Sequence, residues 1–344
     1  MSDQSQPIVK PQPIVEVEDL WVWLRKRGRE IPLVRGLSYT LRPAEALSIV
    51  GESGAGKSIG VRAALGLLDP RLFRVTGSSK LVGTDVLALT AKERARYVPS
   101  VAALVFQDPG RSLNPTMRVG DQIAEAFLKG SGYEPGMTRA KAEARALQLM
   151  KDVRIAAAEE RFKAYPNQLS GGMKQRVVIA IAVACKPQVL FCDEPTSSLD
   201  VTTQAAIMDL IGELRDQTGI ATVTITHDLA LAASRARKVI VMYGGQVVEA
   251  LPARLVATES AMPYTTALIE AVPDIDGNGT PPTPIEGMPP DPANLPSGCS
   301  FHPRCRFAQD DCLTNTPELR VVAPAHELRC FHPVKDLELQ EASR

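Results

Sequence analysis

Hydrophobic and polar positions follow two patterns along this chain, one of strands and one of helices. Residues 1–13 are polar and proline-containing and read as a flexible arm. From Ile14 the pattern turns apolar and strand-like (IVEVEDLWVWL), and a turn-like basic stretch follows at Arg25–Glu30. A second strand is expected at Leu37–Leu41. A third, Ala46–Val50, runs directly into a glycine-rich segment, and Ser58–Leu68 then reads as a helix. Residues 118–165 are dominated by Ala, Leu, Lys, Glu and Arg without β-branched runs. They read as several helices with a Gly/Pro break near 130–136. Next come a helix at 177–184, a buried strand at Val189–Cys192, a helix at 201–216, a strand at Ala221–Thr226 and a helix at 228–236. A hairpin over 238–250 turns at Gly244-Gly245. Strands alternating with helices imply an α/β fold with a mostly parallel sheet covered on both faces. The helical block, about 115–176, looks like an insertion into that core.

Beyond residue 270 the composition changes. Nine prolines fall between 273 and 303, which reads as a Pro-rich linker over 271–296. It leads to a small C-terminal Cys-rich module, 297–344, holding four of the six cysteines and three of the four histidines. The chain has 344 residues, enough for one large domain and a smaller one. Lys+Arg and Asp+Glu both number 39, so the formal charge is zero. A general nucleic-acid binder needs a basic excess to release counterions, so that class is disfavoured. Apolar stretches fall well short of the ~20 residues that cross a bilayer, and the N-terminus lacks a signal-type apolar core. The expectation is a cytosolic chain that leaves any membrane spanning to partners.

Gly51-Glu52-Ser53-Gly54-Ala55-Gly56-Lys57-Ser58 fits G-x-x-x-x-G-K-[ST] between a strand and a helix. Glycines let backbone N–H groups converge on phosphate oxygens, and the helix N-terminus adds partial positive charge. Lys57 can reach the β/γ-phosphates and Ser58 can ligate Mg²⁺. Ser170-Gly171-Gly172 opens a helix; alone it is an ordinary N-cap. Val189–Cys192 ends in Asp193-Glu194, where one acid can hold Mg²⁺ and the other polarise a water. His227 directly follows the strand Ala221–Thr226, and Gln107 follows the apolar run Ala102–Phe106. Each of these alone would be unremarkable.

In order, the segments resemble the nucleotide-binding subunit of an ABC transporter over about residues 14–270. The matches are Walker A at 51–58, the Q-loop at Gln107, the signature LSGGMKQR at 169–176 and Walker B at 189–194. The D-loop Ser197-Ser198-Leu199-Asp200 and the switch His227 complete them. The resemblance implies an ABC-type P-loop ATPase core. It implies that Gly51, Ser53, Gly54, Ala55, Gly56, Lys57, Ser58 and Ile59 bind ATP, with Ser58 and Gln107 on Mg²⁺ and Asp193 holding the ion through water. Glu194 would be the general base and His227 the γ-phosphate sensor, so Glu194, His227 and Gln107 form the catalytic set. Ser170, Gly171 and Gly172 would act on ATP held by a second nucleotide-binding subunit, expected to be a different chain. An aromatic residue that stacks on adenine usually precedes Walker A. Leu24 stands where it is expected, and Trp23 is either a substitute or a packing residue.

Phe106-Gln107-Asp108-Pro109, Ser112-Leu113-Asn114-Pro115, Pro263-Tyr264-Thr265 and Ile285-Glu286-Gly287 resemble the oligopeptide/dipeptide and nickel uptake branch. This implies ATP-driven peptide import at the cytoplasmic face of the membrane, with two permease subunits and, indirectly, an extracytoplasmic peptide-binding protein. Nickel or another solute is the alternative cargo. A soluble ABC ATPase acting on nucleic acid is the competing class, opposed by the neutral charge and the lack of a long coiled-coil insertion. A redox adaptor with a vestigial ATPase is opposed by the intact Glu194 and His227.

Cys299, Cys305, Cys312 and Cys330 are spaced C-x5-C-x6-C-x17-C. In a cytosolic chain such clustering points to metal rather than disulfides. The C-x2-C knuckles that zinc favours are absent, while four thiolates suit a [4Fe–4S] cluster. Zinc and an unmetallated module stay open, and the resemblance favours iron–sulfur. The role of such a cluster is a structural staple in preference to redox sensing. His302, His326 and His332 could substitute as ligands but are expected on the module's surface, and Cys185 and Cys192 in the core.

Overall fold

A computed structural model describes residues 12–26, 28–130, 134–197, 199–271 and 282–335. Most of the expected arm, Arg27, residues 131–133 of the break, Ser198, residues 272–281 of the linker and residues 336–344 lie outside the described residues.

β1 (Val15–Lys26) and β2 (Arg29–Leu41) form a long antiparallel hairpin, and β3 (Ala46–Val50) follows as a fully buried strand. β2 therefore starts well before Leu37. The basic stretch at 25–30 is mostly strand, because Arg25 and Glu30 pair across the hairpin. β4 (Phe73–Leu81) and β5 (Thr84–Asp85), which the periodicity does not announce, complete a four-stranded sheet in the order β2-β1-β4-β5. The polar Thr76-Gly77-Ser78-Ser79-Lys80 stretch hides β4; its pairing with β1 supplies what propensity lacks.

The second sheet contains β6 (Ala102–Val105), β7 (Val189–Asp193), β8 (Ala221–Thr226), β9 (Lys238–Tyr243), β10 (Gln246–Pro252), β11 (Arg320–Ala323) and β12 (His326–Leu328), together with β3. Its order is β11-β12-β10-β9-β3-β8-β7-β6. The run from β9 to β6 is parallel, whereas β10, β12 and β11 add antiparallel. β3, β7 and β8 are buried throughout because both their faces are covered; β3 and β7 read as nearly continuous apolar runs, and β8 (Ala-Thr-Val-Thr-Ile-Thr) as a β-branched one.

The helix Lys57–Ala64 lies in the core shared by the two sheets, with Val61, Ala63 and Ala64 among Val17, Leu37, Ile49, Phe191 and Val223. It ends before Leu68 because Gly66 takes a left-handed φ of +64°. The helices Val119–Lys129, Arg139–Asp152 and Gly171–Ala184 form a second core with Leu190 and Cys192 on the opposite face of β7. Gly171–Ala184 starts earlier than 177: Ser170 caps it by accepting from the Met173 N–H at 3.3 Å. The helix Val201–Thr218 is capped by Asp200 and stopped by Gly219 in the left-handed region.

The C-terminal segment does not stand apart from the sheet. β12 pairs with β10, placing Glu249 opposite Leu328. Beneath this seam His326 Nε2 meets Glu249 Oε1 at 2.9 Å, with both side chains almost fully buried. Glu249 Oε1 also accepts from the Ala261 N–H at 2.8 Å. His326 is thus not a surface residue: the hairpin turns it inward to the one buried carboxylate beside it. No helix among the described residues is long and apolar enough to cross a membrane.

Candidate functional site

Four parallel strands deliver their C-terminal ends to one place, the usual ligand edge of an α/β sheet. β3 leads into residues 51–58, β6 into Phe106-Gln107, β7 ends at Asp193 before Glu194, and β8 ends before His227. The loop after β3 needs its glycines. A Cβ on Gly51 would stand 2.2 Å from the Met242 carbonyl oxygen, and one on Gly56 2.5 Å from that of Leu33. Gly56 also has a left-handed φ of +96° as it caps the helix. The backbone therefore folds tightly and leaves its amides at a helix N-terminus, which is an anion cradle. Ser53, Gly54 and Ala55 form the bend of this cradle, while Ile59 packs against the first core behind it.

Lys57 is buried at the centre. Its Nζ donates to the carbonyls of Gly51 at 2.7 Å and Glu52 at 3.0 Å and lies 4.0 Å from Glu194 Oε1. Burial pushes the Lys57 ammonium down from the usual lysine range, opposed by the carboxylates of Glu194, Asp193 and Glu52. Ser58 Oγ donates to Asp193 Oδ1 at 2.5 Å, and Arg62 Nη2 to Asp193 Oδ2 at 3.1 Å. Asp193 is buried, so its charge needs these partners. Gln107 Nε2 donates to Glu194 Oε2 at 3.0 Å and to Ser197 Oγ at 3.1 Å. His227 Nδ1 stands 3.9 Å from Glu194 Oε2, beyond hydrogen-bond reach, on a largely exposed side chain. Glu194 itself has φ +47° with its N–H donating to Ile225, so a strained backbone aims its carboxylate into the cluster.

The structure thus brings Lys57, Ser58, Gln107, Asp193, Glu194 and His227 together. It does not bring in the signature: Gly171 and Gly172 pack toward Leu199 and Thr203, and Ser170 is exposed. Trp23 is already engaged. It stacks on Trp21 (centroids 5.5 Å apart, 12° between planes), and the Arg74 guanidinium lies 3.6 Å from its ring centroid. Leu24 pairs with Phe73 across β4.

Two contacts escape the sequence reading. Arg62 lies one turn after Ser58, a spacing that could have suggested their shared partner. Arg304 grips Glu52 across the chain, and no local signal announces it. Beside Gln107 a groove of about 710 Å³ runs along Phe106, Arg111, Val178, Ile181 and Cys185.

The C-terminal cysteines converge. The Cys299 N–H donates to the Cys312 carbonyl at 2.9 Å, and Cys299, Cys305 and Cys330 share the third core with Phe301 and Leu328. Burial raises all four thiols, that of Cys330 to about 12, and each of Cys299, Cys305 and Cys330 also responds to charge on others of the set. Among the described residues, Asp311, Cys312 and His332 form the group whose ligand atoms lie within 4.8 Å of one another. His332 Nε2 meets Asp311 Oδ1 at 2.8 Å, and His302 Nδ1 meets the Cys299 carbonyl at 3.0 Å.

Residues 34–197 match the ABC transporter family and residues 248–312 the C-terminal region of oligopeptide/dipeptide transporters. An oligopeptide transport ATP-binding protein OppD of Salmonella typhimurium is 41% identical over 330 residues, covering 95% of this chain and 97% of that protein. An OppD of Mycobacterium tuberculosis is 44% identical over 320 residues, but the chain spans only 52% of its length. The dimeric ATP-binding cassette MJ0796, in a post-hydrolysis state bound to ADP and Pi, superposes with a TM-score of 0.62 at 26% identity. That match covers 70% of this chain and 99% of the cassette.

Proposed function

The chain belongs to the ATP-binding subunits of oligopeptide/dipeptide ABC transporters, and on that premise we propose that it hydrolyses ATP to drive peptide import. The observation that carries this reading is the convergence of Lys57, Ser58, Gln107, Asp193, Glu194 and His227 at four parallel strand ends.

Residues 53–58 present amides to the phosphates, and the Lys57 ammonium exchanges its loop carbonyls for β/γ-oxygens. Ser58, Gln107 and Asp193 offer hard oxygen donors of the kind Mg²⁺ selects, and a buried carboxylate that needs positive charge suits a cation. That ion would neutralise charge on the β- and γ-oxygens. Glu194 accepts the proton of a water as its oxygen bonds to the γ-phosphorus. The bond to the bridging β–γ oxygen breaks, releasing ADP and inorganic phosphate. His227 bonds a γ-phosphate oxygen. Ser170, Gly171 and Gly172, exposed at a helix N-terminus, complete the site of a second nucleotide-binding subunit, most simply a different chain. The groove beside Gln107 receives a cytoplasmic element of one of two permeases, so the chain sits peripherally on the membrane, and a peptide-binding protein feeds the permeases from the far side.

The four cysteines of the C-terminal segment would hold a [4Fe–4S] cluster. Cys299, Cys305 and Cys330 share one core and Cys312 is tied to it through the Cys299 N–H, and thiolate donors suit such a cluster. When bound it would supply a covalent staple for a segment with little core of its own.

The test is Glu194→Gln. MgATP binding is expected to persist while turnover falls by about a hundredfold or more, as loss of a general base predicts. Near-normal turnover would remove Glu194 from that role.

A further inference from the structure

We propose that Arg304 is a positioning residue for the phosphate loop: acting through Glu52, it fixes where Lys57 stands and so sets the affinity for MgATP from the C-terminal segment. This rests on the reading that residues 51–58 bind ATP.

Glu52 is held from both its backbone and its side chain. Its N–H donates to the Tyr264 hydroxyl at 2.8 Å. Its carboxylate receives Arg304 Nη1 at 2.6 Å and Nη2 at 3.0 Å, a two-pronged pair that fixes direction as well as distance. The Arg304 side chain is 5% exposed. Its Nε donates to the Glu286 carbonyl at 2.9 Å, and Nη1 also reaches the Tyr243 hydroxyl at 3.2 Å. One guanidinium thus ties the loop, the end of β9 and the segment after the linker into a single knot.

The knot meets the chemistry through Lys57, because the Glu52 carbonyl is one of the two acceptors that hold Nζ. On its other side it meets the cysteines. Arg304 closes the short turn His302–Arg304, and the Cys305 N–H donates back to His302 at 3.2 Å. Phe301 before this turn packs on Tyr243 and Tyr264, with centroids 5.1 and 5.2 Å away. The turn is therefore seated on the aromatic pair whose hydroxyls hold the knot, Tyr264 accepting from the Glu52 N–H and Tyr243 from Arg304. A loop held by one buried ion pair has few alternative positions, so its amides and Lys57 bind phosphate without first having to be ordered.

The experiment titrates the full-length protein with a fluorescent ATP analogue and Mg²⁺ and measures steady-state ATPase on the same samples. Arg304→Ala is expected to weaken binding about tenfold while turnover at saturating ATP stays within about threefold, so KM moves and kcat does not. Glu52→Ala should weaken binding equally, and the double variant no further than either single one. Arg304→Lys, which keeps charge but loses the fork, should recover part of the loss. If Arg304→Ala does not fold, Glu52→Gln, with the same shape, carries the test alone. Unchanged affinity in these variants, or losses that add in the double variant, would overturn the proposal. Lys57→Ala separates the two levels. If the wild type binds ATP, Lys57→Ala does not, and Arg304→Ala matches the wild type, only the role of Arg304 falls. If the wild type itself does not bind, both readings fall.

Discussion

The phosphate loop and the cysteine segment are both small, polar and built around a potential ligand, yet they are made in opposite ways. Residues 51–58 carry their function in consecutive backbone atoms, and their shape is imposed by immediate neighbours such as the Met242 and Leu33 carbonyls. The cysteine segment gathers thiols from 299 to 330 and depends on elements elsewhere in the chain: β12 on β10, His326 on Glu249, Arg304 on Glu52. The first arrangement is one consecutive stretch, packed hard against main-chain oxygens and intolerant of added atoms. The second rests on long-range pairings that can be removed one at a time. Three perturbations separate these behaviours.

The largest effect is expected from Gly51→Ala. The new Cβ would lie 2.2 Å from a main-chain oxygen, which no rotamer change relieves. The loop must move as a whole, so MgATP affinity should drop by about a hundredfold and unfolding stability by about 3 kcal/mol. Denaturant titration and nucleotide binding check this together. If the variant binds ATP normally, the loop is less tightly determined than its contacts say.

Cys330→Ser should act on stability and metal more than on chemistry. Metal analysis of the purified protein is expected to find iron and labile sulfide in the wild type and to find them depleted in the variant. Losing a metal ligand in a segment with little core should lower stability by about 2 kcal/mol, with turnover at saturating ATP within about threefold. Because the same segment carries Arg304, KM for ATP should rise with the loss of iron. A wild type without iron, and a variant destabilised by less than about 1 kcal/mol, would make these four thiols merely packed side chains.

The same contrast explains how much of the molecule was legible beforehand. β3, β7 and β8 are buried on both faces, β3 and β7 as nearly continuous apolar runs and β8 as a run of β-branched residues, so their positions and parallel order follow, and the residues at their ends follow with them. Gln107, Asp193, Glu194 and His227 could be placed because each directly follows such a run. β4 was invisible, since its middle is Thr, Gly, Ser, Ser and Lys and its partner β1 lies some sixty residues earlier. The Arg304–Glu52 pair spans 252 positions and leaves no periodic trace. His326 reads as a surface residue because a lone histidine in a polar stretch says nothing of the Glu249 carboxylate on β10. What sequence cannot supply here is register: the alignment of two distant segments that turns an ordinary side chain into a partner.

Trp23 lies between these extremes, and its variant should have the smallest effect. It neighbours Leu24, which stands where an adenine-stacking residue is expected, but its ring is occupied by Trp21 and by Arg74, which is itself paired to Glu30 at 2.7 Å. An exposed cation–π contact and one aromatic pair are worth about 1 kcal/mol together, so Trp23→Ala should cost about that in stability. If the ring only packs, competition by ATP and by inorganic triphosphate should weaken equally, each by less than about threefold, because both ligands use the phosphate loop alone. If it stacks on the base, ATP should weaken while triphosphate does not. A selective loss for ATP would make Trp23 the base platform, with Arg74 displaced when nucleotide enters. Equal, small losses leave the phosphates as the dominant source of affinity, which is what a loop so tightly packed leads one to expect.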